Sequence, residues 1–178
     1  MRKIVLTYGL VAGAILSLSM LASLPFMEQI GFEHGMLIGY TSMVAAFLMV
    51  YFGIRSYRDQ AAGGRIGFGR AFWVGLAITL VGSTCYVATW QFVYHRITPD
   101  FMEKYSAYAV DKARKAGATE ARIAAQQKEM HEFAAMYKNP LVNIAFTFLE
   151  PLPVGLLFTG VSAFMLSRPR RVAGVVAG

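Results

Sequence analysis

Four long runs almost free of charge constrain this chain more than anything else in it. Ile4 to Leu24 gives 21 uncharged residues, Gly35 to Ile54 gives 20 and Ala71 to Tyr94 gives 24. A fourth run, Asn139 to Ser167, is 29 residues long and is interrupted once, at Glu150. About 20 helical residues cross a hydrocarbon core roughly 30 Å thick, so each run is long enough to span a bilayer. In lipid every backbone polar group must be satisfied within the structure, which favours helices for such runs. The predicted fold class is all-α: an integral membrane four-helix bundle forming one domain over residues 1–178, with spans at about 4–24, 35–54, 71–94 and 140–167.

Composition agrees with this reading. Hydrophobic residues make up 56% of the chain and charged residues 15%, whereas soluble domains are roughly 25% charged. Met1-Arg2-Lys3 before an apolar run also fits the start of a signal peptide, but 21 apolar residues exceed the usual h-region of about 7 to 15. The first run is therefore expected to stay as a span.

The net charge of +7 first points to an acidic partner such as nucleic acid, and its distribution removes that reading. Arg2 and Lys3, the loop with Arg55, Arg58, Asp59, Arg65 and Arg70, and the tail with Arg168, Arg170 and Arg171 hold nine basic residues against one acid. Residues 25–34 carry Glu28 and Glu33, and His95 to Lys138 carries eight basic and six acidic residues. Lys and Arg beside spans favour the cytoplasmic side, so both termini are expected in the cytoplasm and the partners are expected to be membrane lipids. Phe26, Trp90, Phe92 and Tyr94 toward the outer boundary, and Tyr51, Tyr57, Phe72 and Trp73 toward the inner one, fit interfacial aromatic belts.

Residues 98–138 are predicted to form an extracytoplasmic helical hairpin between spans 3 and 4. Thr98 is placed to cap the first arm, with Pro99 at its first position and Asp100 behind. Gly117 supplies a stop, Thr119 caps the second arm, and Asn139-Pro140 closes it. The facing stripes are Phe101, Tyr105, Tyr108, Ala109, Ala113 and Ala116 on one arm, and Ile123, Gln127, Met130, Phe133, Ala134 and Tyr137 on the other. Met102, Val110 and Met136 fall outside these stripes, which leaves room for a protein partner or the outer leaflet.

Glu150 is the residue most pointed at function, because an ionisable group inside a span costs at least about 2.5 kcal/mol near the bilayer centre. Asn143, Thr147 and Glu150 recur at four and three residues and form one polar stripe. Pro151 and Pro153 then remove backbone donors and are expected to bend the helix. On the third span Gly75, Thr79, Gly82, Tyr86 and Thr89 share a face, with Trp90 and Gln91 at its outer end. If that face meets the fourth helix antiparallel, Tyr86, Thr89, Trp90 and Gln91 can donate hydrogen bonds to Glu150. The stripe then either locks two helices together or lines a polar cavity for a ligand or proton.

Other features carry less. Gly63-Gly64-Arg65-Ile66-Gly67-Phe68-Gly69-Arg70 lacks the Lys-Ser/Thr ending of a P-loop, so no nucleotide cofactor is implied. Arg55, Arg58, Arg65 and Arg70 are candidate contacts for anionic lipid headgroups. His34, His95 and His131 match no structural zinc pattern, so no metal site is assigned, and Cys85 reads as a core residue. Rows of small residues, Gly9, Gly13 and Ser17 and then Gly39, Ala46 and Gly53, allow close helix contacts within the bundle or between copies of the chain.

Five stretches, residues 53–59, 68–72, 86–90, 138–143 and 149–155, resemble a bacterial membrane-protein family known as domain of unknown function 4199. The resemblance implies a multi-span protein of the bacterial cytoplasmic (inner) membrane and supplies no substrate, reaction or catalytic residue. Two functions remain open: a non-enzymatic binding or assembly module working through the hairpin, or a small carrier or binder of lipid or hydrophobic ligand built around Glu150. An enzyme is disfavoured because no nucleophile, metal set or carboxylate pair appears.

Overall fold

The computed structural model describes residues 1–168, the side chain of Glu28 excepted. Arg170 and Arg171, counted above among the basic flanks, lie outside the described residues. The regular structure of the described residues is entirely helical: α1 Arg2–Ser23, a 3-10 turn Leu24–Phe26, α2 Met27–Ala61, α3 Phe68–Arg96, α4 Phe101–Lys115, α5 Glu120–Tyr137, α6 Pro140–Leu149 and α7 Pro151–Ser167. Four stretches, Arg2–Phe26, Gln29–Ala61, Phe68–Arg96 and Pro140–Ser167, are long and apolar enough to cross a membrane.

Close packing follows the small residues. A β-carbon on Gly9 would come within 2.6 Å of Val81 Cβ, and one on Gly13 within 2.5 Å of Cys85 Cβ, so α1 and α3 run parallel with their backbones nearly touching. A β-carbon on Gly155 would run into the Thr79 side chain and the Phe47 ring, which ties α7 to α3 and α2. Thr79 seals this contact through its hydroxyl, 3.0 Å from Thr159 Oγ1 and 3.3 Å from the Gly155 carbonyl. Gly75 also meets α7 through Thr159, but Gly82 faces Ala12 and Gly13 of α1. The face expected to meet the fourth helix is thus shared between two neighbours. Ala12, Phe47, Val50, Ile54, Val74 and Ile78 fill the core between α1, α2, α3 and α7.

Helix ends depart from the hydropathy limits in an instructive way. α2 continues beyond Ile54 to Ala61, because Arg55 and Arg58 are good helix formers and suit a helix C-terminus. Residues 25–34, expected as a loop, are largely helical. Gly31, at φ 70° and ψ 164°, breaks α2 near its start in a conformation that glycine tolerates and other residues rarely adopt. The fourth apolar run is interrupted at Glu150, as its prolines predicted: Pro151 and Pro153 have no N–H for the carbonyls four residues before them.

α4 and α5 pack against each other across the turn at residues 116–119. Gly117 has φ 76°, its N–H donates to Arg114 O, and the Ala118 N–H donates to Ala113 O, which together make a Schellman stop. Thr119 accepts from the Arg122 N–H as expected of a cap. Thr98 does not cap: α4 starts after Asp100, and the Thr98 hydroxyl is buried without a hydrogen-bond partner. Gln127 is exposed rather than interfacial, while Met102, left out of the expected stripe, is buried. On the exposed faces of the two arms Asp111 pairs with Lys115 at 2.7 Å and Lys128 with Glu132 at 3.9 Å, each four residues apart.

A candidate intramembrane cavity with a carboxyl group

The polar residues of α6 meet α3 in antiparallel register. Gln91 Nε2 donates to Asn143 Oδ1 at 2.6 Å, and one and a half turns deeper Tyr86 OH donates to Glu150 Oε2 at 2.8 Å. Asn143 is 1% exposed, and Thr147, one turn on, donates to its carbonyl at 2.7 Å. With that proton committed, the Tyr137 hydroxyl, 3.4 Å from Thr147 Oγ1, is the donor of the next link and accepts from Trp90 Nε1 at 2.9 Å. A chain from indole through phenol and hydroxyl to backbone results. Burial pushes the Tyr137 phenol above the usual tyrosine range, which keeps it a neutral donor at physiological pH.

Of the four donors expected at Glu150, one arrives. Tyr86 reaches it, whereas Trp90 goes to Tyr137, Gln91 goes to Asn143, and Thr89 turns to α1, 2.7 Å from Ser17 Oγ. Thr89 gives its own proton to the Cys85 carbonyl one turn back, at 2.9 Å, and α1 approaches α3 so closely that Ser17 is placed to donate to the Thr89 oxygen. Ser17 belonged to the small-residue row but carried no signal of this bond.

Glu150 precedes α7 as its N-terminal cap residue yet makes no capping hydrogen bond. Among the described residues it forms no ion pair, and Tyr86 is its hydrogen-bond partner. Its carboxyl borders a partly open cavity of about 400 Å³ lined by the end of α1, the start of α2, the last turns of α3, the α4 and α5 arms, and α6. Leu16, Met20, Met27, Ile30, Met36 and Ile38 supply apolar wall, Ser19, Ser23 and Ser42 add hydroxyls, and Tyr86, Trp90 and Tyr137 flank Glu150.

α4 closes one side through aromatic contacts that the sequence did not indicate. Phe32, the residue after the Gly31 break, packs on Phe101, Tyr105 and Tyr108 at centroid distances of 5.9, 5.6 and 5.0 Å. One residue on, Glu33 accepts from Lys112 Nζ at 2.7 Å. The aromatic stripe of α4 therefore turns toward the start of α2 as well as toward α5. A positive-φ glycine followed by an aromatic residue was the available signal.

The proposed lipid-contact arginines do not act alike. Arg55, Arg65 and Arg70 are exposed, but Arg58 is buried to 8% exposure with its Nε on Asp59 at 2.7 Å. Its long apolar stem lies in the helix packing, and its guanidinium pairs with the neighbouring Asp59, whose side chain is 42% exposed, so less of Arg58 than of the other three is open to a headgroup.

Asn143→Leu tests the cohesion of this site. It leaves the Gln91 amide without its acceptor and is expected to lower stability by about 1–2 kcal/mol. Detergent unfolding followed by circular dichroism checks this; an unchanged midpoint would show that the α3–α6 contact does not depend on the bond.

No curated protein and no solved structure matches this chain. A family model described as a protein of unknown function, DUF4199, matches residues 7–168, which take in most of the first apolar stretch, all of the other three, both arms at 101–137 and the Glu150 site. The chain belongs to the DUF4199 family.

Proposed function

We propose that this protein is a multi-pass membrane protein that binds a hydrophobic small molecule in the cavity beside Glu150. In this reading α1, α2, α3 and α6–α7 form a four-helix bundle in the bacterial inner membrane. Both termini are cytoplasmic, and α4–α5 is an extracytoplasmic hairpin roofing the cavity. The observation that carries it is an exposed carboxyl group, neither capping a helix nor paired with a cation, opening into about 400 Å³ of mostly apolar space. Pockets of about 300–1,000 Å³ with few convergent polar groups are the usual form of a small-molecule site. Exposed Arg55, Arg65 and Arg70 then sit where anionic headgroups lie, which favours membrane lipids as lateral partners.

The other reading, assembly through the outer face of the hairpin, draws support from Met136, which is 54% exposed on α5. It explains neither the cavity nor the position of Glu150, and so ranks second.

The test uses a neutral fluorescent probe, N-phenyl-1-naphthylamine, with the full chain in dodecyl maltoside. Gly39 lines the cavity, and a β-carbon there meets nothing within 4 Å, so Gly39→Trp adds an indole to the cavity wall from a position where its Cβ is not crowded. Saturable binding by the natural sequence, weakened about tenfold or more in Gly39→Trp at unchanged thermal stability, is the expected result. Identical binding by both proteins would reject the cavity as a ligand site.

A further inference from the structure

We infer that the cavity is selective for a lipophilic monocation, an onium centre carried on an apolar body, with Glu150 as its counter-charge. This inference rests on the ligand-binding reading above and adds the charge of the ligand to it.

The argument begins with the charge of the lining. Among the described side chains that line the cavity, Glu150 is the one with a formal charge, and no described Lys, Arg or His is among them. Arg58, the one buried guanidinium on the core helices, pairs with Asp59 on α2 and is not among the lining residues. Lys112, on the α4 arm, is committed to Glu33. An anionic ligand would bring a second negative charge beside Glu150 with no cation to offset it, in surroundings where charge interactions are poorly screened. A neutral ligand would leave the carboxylate with Tyr86 alone. A single positive centre satisfies what the protein leaves unmatched.

The walls point the same way. Tyr86, Trp90, Phe101, Tyr105, Phe133 and Tyr137 all border the cavity, and aromatic faces attract cations, most strongly when dry. Met20, Met27, Met36 and Met102 add polarizable sulfur suited to irregular apolar shapes. With Phe32 the aromatic residues make seven rings bordering the cavity that Glu150 opens into, a lining that holds a diffuse, weakly hydrated cation better than a compact, strongly hydrated one. A volume of about 400 Å³ admits one drug-sized body rather than a lipid with two acyl chains. One carboxylate balances one positive charge.

Tetraphenylphosphonium and tetraphenylborate have nearly the same size and shape and opposite permanent charge, which isolates the sign of the charge as the variable. Each is titrated against the bound neutral probe, with partition into empty micelles subtracted. The cation is expected to displace the probe from the natural sequence at about tenfold lower concentration than the anion, and E150Q is expected to abolish that preference. Tyr86→Phe keeps the carboxylate and is expected to keep the preference, so the inference remains testable should E150Q fail to fold. Equal displacement by both ions, or a preference that survives in E150Q, overturns the cation inference while the saturable probe leaves the ligand-binding reading standing. Absence of saturable probe binding overturns both.

Discussion

Replacing Gly13 with leucine is expected to destabilise the protein by about 2–3 kcal/mol, the upper range for forcing extra side-chain volume into a packed interior. The effect follows from which atom stands in the way. A β-carbon on Gly13 would lie 2.5 Å from the Cβ of Cys85, which no rotamer change can move, so the α1 and α3 backbones must separate. That separation also pulls Ser17 from Thr89, one turn along. Cys85→Gly should return most of the loss, and a double-mutant cycle should give a coupling of at least about 1 kcal/mol. Gly39→Leu, where a β-carbon meets nothing within 4 Å, serves as the control. If the two leucine variants unfold alike, close α1–α3 contact is not what makes Gly13 a glycine.

The second large effect is all-or-none. In a Cys85→Ala background, Gln60→Cys and Lys115→Cys should react with a membrane-impermeant maleimide from opposite sides: Lys115→Cys in intact cells, Gln60→Cys only after permeabilisation. Both positions are exposed, so reactivity reports sidedness and not burial. Gln60 lies just before the turn at one end of α3, and Lys115 closes α4 beyond the other end. The 29 residues of α3 separate those ends by about 43 Å, more than the thickness of a hydrocarbon core. The basic flanks around Arg55 and Arg65 give the sign, since Lys and Arg beside spans stay in the cytoplasm. Labelling of both from one side would remove the proposed topology.

What could be read from the residues divides along a physical line. Uncharged runs mark long helices because backbone burial in lipid leaves few alternatives, and Pro151 marks the break at Glu150 because a missing donor is a local fact. The Tyr86–Glu150 pairing was accessible from antiparallel register alone. Thr89 and Ser17 were not, because their bond depends on how near α1 lies to α3, a quantity that no single helix encodes. The burial of Arg58 was not legible because hydropathy scores its charge and ignores its stem. The roof of the cavity was hidden for a related reason: the Phe32 contacts depend on Gly31 adopting positive φ, which sequence permits but does not require.

The turn between α4 and α5 offers a practical handle on this 19.6 kDa chain, which is small for single-particle imaging. Gly117 and Thr119 terminate their own helices through hydrogen bonds made within a few residues, and the turn residues themselves are largely exposed. A rigid fiducial domain spliced between Ala118 and Thr119 would leave the Thr119 cap in place and keep clear of the packed core, since exposed turn tips are where insertions are best tolerated. Two anchor points on antiparallel helices would also limit rocking of such a fiducial, making the roof of the cavity the best-registered part of an image.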